Sequence, residues 1–196
     1  DASAVVGTDP GYFPQSAIND AIEVLENPSS VDADYEQAKA NLDAAMVLPA
    51  SGKTYQLISA NPSFEEKQGK KKAIWDNGTQ LRWADINADT RAFYWTFTPS
   101  DSKYILQNVG TKRYPGAQTA SNTALPSQEA ENTVTLTAIG QGQFNITSTG
   151  SSAAMHTMGH NSGAGVENFI CIWNAGVNSG SAWYIVEAAA PTVDLA

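Results

Sequence analysis

Trp173 heads a stretch whose residue types could recognise a sugar. It lies in FICIWNAGVNSGSAWYIVE, Phe169 to Glu187, with Asn174 and Asn178 close behind. An indole covers the apolar face of a pyranose, and side-chain amides bind hydroxyls, so an aromatic beside two asparagines offers both halves of that recognition. Ile170 and Ile172 share one strand face, which turns Trp173 the other way, toward the mouth of the following turn. The β-branched and aromatic runs on either side of the Gly/Ser/Asn-rich gap predict a hairpin over this stretch. The competing reading of Trp173 is a rim residue packed over that hairpin.

A second stretch, LRWADINADTRAFYWTF, has a similar outline, with Trp83 and Phe93 ten positions apart, as are Trp173 and Trp183. Trp83 is therefore a second candidate for stacking. It shares parity with Leu81, however, and a slip of one residue would turn it into the core. Asp76 and Asn77 precede it in a Asp-Asn-Gly turn and could bind hydroxyls or simply build the turn. Trp75, of opposite parity to Ile74, is a possible exposed stacker.

His156 and His160, the only histidines, are spaced HTMGH. That spacing chelates zinc on a helix, but here it reads as strand running into a Gly-rich loop with no third ligand, so no metal site and no cofactor are expected. A polar role for His156 beside Trp173 fits better. Cys171, the single cysteine, sits among Ile and Trp and reads as a small buried hydrophobe. No nucleophile elbow, phosphate loop or dinucleotide fingerprint occurs, and a non-catalytic protein is expected. Distant carboxylate pairs keep a small glycosidase as a remaining alternative.

The elements that must position these residues fall into two compositions. Residues 1–50 hold nine acids and one base, while the rest of the chain, which carries the remaining acids and bases of the net charge of −9, is nearly neutral. Neither part has the basic stripe needed for a phosphate backbone, which disfavours nucleic acid, and no apolar run is long enough for a membrane span. The cluster Lys67, Lys70, Lys71 and Lys72 reads as a solvated loop. After an irregular lead-in, Ile18, Ile22 and Leu25 recur at helical spacing. Asp32 is a plausible N-cap for a second helix with Tyr35, Ala38, Leu42 and Ala45 on one face. Pro-Ser-Ser joins the two into an antiparallel hairpin that is marginal alone.

From Lys53 onward short strands replace helices. TYQLIS, KYILQNV and QFNITS each place an aromatic (Tyr55, Tyr104, Phe144) two positions before an aliphatic (Leu57, Leu106, Ile146), on one strand face. Each is followed by a second strand (KKKAIW, KRYPGA, SAAMHTM) and a closing one (YWTF, VTLTAI, AWYIVE). Three units of about four strands predict an all-β region over 53–188, after the helical part at 1–50 and before a tail at 189–196.

The opening strands YQLIS, YILQN and FNITS, with the WNAGVNSGSAWYIV closure, resemble the ricin-B-like lectin family, whose fold is the β-trefoil. That family closes each unit with Gln-x-Trp. The aligned triplets here are Ser181-Ala182-Trp183, Arg91-Ala92-Phe93 and Asn132-Thr133-Val134, without the glutamine. SAINDAIEVLEN and DADYEQAKANLDAAM resemble FIVAR-type helical spacer modules of bacterial surface proteins. The resemblance implies a mainly β protein, a β-trefoil behind a two-helix hairpin, that binds a glycan or oligosaccharide. In the lectin family the stacking aromatic ends the third strand of a unit, the place of Trp173. The resemblance also implies a secreted or surface-attached protein, with other domains of a larger polypeptide as possible partners. A trefoil docking a protein rather than a sugar is the alternative from another class.

Overall fold

The computed structural model describes residues 4–64, 69–158, 168–174 and 180–193. Two helices, α1 (Gln15–Glu26) and α2 (Asp32–Ala45), precede twelve strands, with a 3-10 turn at Arg91–Phe93. The first unit contains β1 (Thr54–Ser59), β2 (Lys72–Asp76), β3 (Leu81–Asp85) and β4 (Trp95–Ser100). The second holds β5 (Lys103–Asn108), β6 (Tyr114–Pro115), β7 (Ser127–Gln128) and β8 (Thr133–Gly140). The third holds β9 (Gln143–Ser148), β10 (Ala154–Thr157), β11 (Ile170–Trp173) and β12 (Trp183–Glu187). The first and last strands of each unit, in the order β1-β4-β5-β8-β9-β12, form a barrel closed by β12 on β1. The middle strands pair as β2–β3, β6–β7 and β10–β11. Closure removes the free edges an open sheet would expose, and the result is a β-trefoil.

The period-two pattern of the opening strands builds this barrel. Tyr55, Leu57, Leu106, Phe144 and Ile146 are buried in one core, with Tyr104 packed against it. Cross-strand register identifies equivalent positions: Tyr55 faces Trp95, Tyr104 faces Val134 and Phe144 faces Trp183. Hydrogen bonds repeat the correspondence. The Trp95 indole donates to the Ile74 carbonyl at 3.2 Å, and the Trp183 indole to the Met155 carbonyl at 3.0 Å. The residue equivalent to Trp183 is therefore Trp95, not Phe93. Phe93 packs instead in a second apolar cluster with Ile58, Ala73, Tyr94 and Val109. The expected hairpin over Phe169 to Glu187 also does not form, since β11 pairs with β10 while β12 pairs with β1 and β9. Tertiary pairing outcompetes the local turn because each strand finds a buried partner elsewhere.

The helical hairpin forms with Val31, rather than Asp32, at the N-cap of α2, and the Asp34 carboxylate accepts from the Val31 amide at 2.9 Å. Leu42 is its buried residue, while Ile22, Leu25 and Tyr35 are exposed. The lead-in carries the helices onto the barrel. The Gly11 amide donates to the Val47 carbonyl and the Val47 amide to the Tyr12 carbonyl, each at 2.8 Å. The Tyr12 ring lies so close to Gly142 (φ 73°) that a Cβ there would stand 2.4 Å from it, so both the turn and the contact require glycine. Lys72 is not solvated: it is buried against Asp85, which Lys70 also meets at 3.0 Å. Lys67 lies outside the described residues. Among the described residues no helix is long and apolar enough to cross a membrane.

Candidate functional site

The β10–β11 hairpin sorts its side chains by parity. Met155, Thr157, Ile170 and Ile172 face the core, and Ala154, His156, Cys171 and Trp173 face outward, with Ala154 directly across from Trp173. Trp173 is 39% exposed, whereas its neighbours on that face are buried. Asn174 follows it and is exposed.

His156 lies beside the indole, the ring centroids 6.0 Å apart and the planes tilted by 39°. Its Nδ1 is 2.9 Å from the Ser181 hydroxyl, and a Cβ on Gly180 would come within 2.3 Å of its ring. His156 is thus wedged between the strand and the Gly180–Ser181 backbone, where it packs beside Trp173 rather than facing open solvent. Burial pushes the Cys171 thiol above its ordinary pKa, with the Asn122 backbone amide acting in the opposite sense. The thiol lies 3.6 Å from the His156 carbonyl. A thiol held protonated in this way is a packing group rather than a nucleophile.

A groove of about 330 Å³ opens beside Trp173, lined by Asn174, Ser152 and Ala153 of the third unit and by Thr119 and Ser121 of the second. One aromatic face, three hydroxyls and an amide on a shallow solvent-open surface suit a polyhydroxylated ring. Thr119, Ser121 and Ser152 escape sequence reasoning because they lie outside the periodic strands, and a contact between units leaves no spacing signal. Asn178 and His160 lie outside the described residues. Among the described residues no group of three His, Cys, Asp or Glu side chains could hold a metal.

The candidates of the first unit do not assemble a comparable surface. Trp83 is 8% exposed, packs on Phe64 at 4.8 Å and donates its indole N–H to the Met158 carbonyl at 2.7 Å. It faces the core opposite Ile74, so no ring face is free for a sugar. Asp76 is 1% exposed and accepts from Thr111 Oγ1 at 2.5 Å, Ser127 Oγ at 2.8 Å and the Gly78 amide at 2.8 Å. Those donors satisfy the buried carboxylate and tie the first unit to the second, which corrects its assignment as a ligand contact. Asn77 caps the turn by accepting from the Thr79 and Gln80 amides. Trp75 does face outward, but its ring stacks on Phe93 at 6.0 Å. A larger cleft of about 470 Å³ between α1 and α2, lined by Ala17, Ala21, Val24 and Asn41 among others, carries no aromatic face.

No family model and no curated protein matches the chain in sequence. Solved structures do match. The ricin B-like lectin of Macrolepiota procera, solved with lactose, is 14% identical and superposes with a TM-score of 0.56 over 71% of this chain and 98% of its own. The Rhizoctonia solani agglutinin is 17% identical, with a TM-score of 0.56 over 73% of this chain and 99% of its own. An exo-β-1,3-galactanase of Clostridium thermocellum is 16% identical, with a TM-score of 0.58 over 73% of this chain but 32% of its own. At these identities the likeness concerns the fold alone. The chain has the β-trefoil fold that lectins and parts of larger glycosidases share.

Proposed function

We propose that this chain is a non-catalytic carbohydrate-binding module of a secreted or surface-displayed glycan-processing protein. The observation that carries this reading is the exposed Trp173, at the end of β11 and bordered by hydroxyls and an amide. The His156 ring packed beside the indole at 6.0 Å restricts it before a ligand arrives, which reduces the entropy lost on binding. The glycan-binding neighbours support the same reading, and the galactanase supports a trefoil serving as one portion of a longer enzyme. Division into helical, trefoil and tail regions at about residues 50 and 189 belongs to this proposal, as does a FIVAR-like spacer role for the helices.

A glycan array tests it. Wild-type protein is expected to retain a defined set of glycans, and Trp173→Ala to weaken their binding by about tenfold or more, on the scale of one lost anchor. Failure of the wild type to retain any glycan sinks the reading. Hydrolysis of model glycosides by the pure protein would overturn its non-catalytic part. A protein-docking role is the second reading, favoured by Leu25 and Tyr35, which stand exposed on the helical hairpin. It predicts a bound protein partner lost on Leu25→Asp and untouched by Trp173→Ala.

A further inference from the structure

Resting on the carbohydrate-binding reading, we infer that the Trp173 groove takes at least two units of an uncharged oligosaccharide. One ring stacks on Trp173 and the next meets a wall supplied by the second repeat, which makes Thr119 and Ser121 specificity-determining residues. Three observations converge on this.

The groove is built by two repeats. Trp173, Asn174, Ser152 and Ala153 come from the third, and Thr119 and Ser121 from a loop of the second. Its volume of about 330 Å³ falls at the lower end of the range for drug-sized ligands, ~300–1,000 Å³, whereas a lone hexose is smaller than such a ligand. A single sugar covering the indole would therefore leave the opposite wall wet.

That wall is pre-formed. The Gln118 side chain accepts from the Thr119 amide at 2.9 Å and the Ala120 amide at 3.0 Å, and donates to the Ala124 carbonyl at 3.4 Å. The Gln118 amide donates to Ser151 Oγ at 2.9 Å, and Ser152 Oγ donates to the Thr119 carbonyl at 3.2 Å. Asn122 takes the left-handed backbone, φ 61°, that lets the loop turn back. A loop tied to Ser151 and Ser152 just ahead of β10, and to β11 through the Leu125 amide's 2.7 Å bond to the Ile170 carbonyl, presents the Thr119 and Ser121 hydroxyls beside the indole.

Among the described residues the lining is neutral. Its polar side chains are hydroxyls and one amide, and among the described residues no lysine or arginine lines it. A uronic or sialic acid carboxylate entering there would lose hydration without gaining a cation, which selects against charged sugars.

The test is an array of matched neutral mono-, di- and trisaccharides with sialylated and uronic-acid-containing counterparts, probed with wild type, Trp173→Ala, Ser121→Trp and Thr119→Val. Wild type is expected to bind neutral disaccharides at least about tenfold more tightly than their monosaccharides, and acidic counterparts more weakly still. Ser121→Trp, which fills the wall, is expected to erase the disaccharide advantage. Thr119→Val, which keeps the shape and removes the hydroxyl, should reduce it about threefold and serves alone if the bulkier variant does not fold. Equal binding of mono- and disaccharides, or preference for acidic glycans, overturns the inference. So does unchanged binding by both wall variants while Trp173→Ala loses it, an outcome that leaves the carbohydrate-binding reading standing. Retention of no glycan by the wild type overturns both.

Discussion

The first and third units look alike in sequence, each with a tryptophan ten positions before a second aromatic, yet they build different outer faces. Register anchored on Trp95 and Trp183 makes Ile74 equivalent to Met155, so Trp83, opposite Ile74, corresponds to Ile172, opposite Met155. The residue in the place of Trp173 is then Ala84, and that of His156 is Trp75. In the third unit the outward face ends in an exposed indole beside a hydroxyl wall. In the first, the same face is closed over by Phe93, and Ala188 and Ala190 of the chain's end also pack on that cluster. A pseudo-symmetric scaffold thus keeps its inner positions filled in every unit and leaves its outer positions to differ. The candidate site lies where the outer face is left open.

The largest effect tests the shared inner positions. Trp95→Ala and Trp183→Ala each delete a fully buried indole and its hydrogen bond, and each is expected to lose about 3–5 kcal/mol in urea unfolding. If either costs under about 1 kcal/mol, the equivalence of the two units fails. Next comes the pair that the sequence makes look alike. Trp83→Phe should lower stability by about 1–3 kcal/mol, through lost packing and the orphaned Met158 carbonyl, with glycan binding by the folded protein unchanged. Trp173→Ala should do the reverse, shifting stability by no more than ~0.5 kcal/mol while removing binding. The opposite pattern, read by titration and thermal melts of both variants, would exchange the roles of the two units.

A smaller effect addresses how Trp173 is held. Gly180→Ala forces its new methyl against the His156 ring and should weaken glycan affinity several-fold with a modest stability loss. Affinity equal to wild type would show that His156 does not position the indole. The smallest effect belongs to the first unit alone, where Asp85 bridges Lys72 and Lys70. The hydrogen bond from Lys72 leads the causes that hold its carboxyl below the ordinary value of 3.8. A depressed folded pKa contributes stability above the unfolded value that is lost as pH falls through the folded one. Half-exposed as Asp85 is, the contribution is expected below about 1 kcal/mol. Denaturation midpoints of wild type and Asp85→Asn from pH 6 down to pH 2 should converge at the acid end, and parallel curves would remove the ion pair from the account.

The two tryptophans also mark how far the sequence could be read. Trp83 and Phe93 mimic the ten-residue spacing of Trp173 and Trp183, but the true counterparts are Ala84 and Trp95, so the likeness arose from two separate register offsets. Side chains alternate with period two, and an offset of one exchanges core for surface without altering composition. Within a single strand parity sufficed: Ile170 and Ile172 against Trp173 already separated inside from outside. Between strands it did not, because nothing local says which residues pair.

What the sequence determined by itself was the repetition: aromatic and aliphatic residues two apart, three times over, require one buried face per opening strand. It also determined that the acidic helices are a different kind of element, since their apolar stripes follow another period. Only the tertiary structure decided that β11 leaves β12 for β10, that Trp83 and Asp76 are internal, and that a loop of the second unit walls the groove of the third. Those outcomes depend on contacts between residues dozens of positions apart, where burial and hydrogen bonding choose among pairings that local propensity leaves equal.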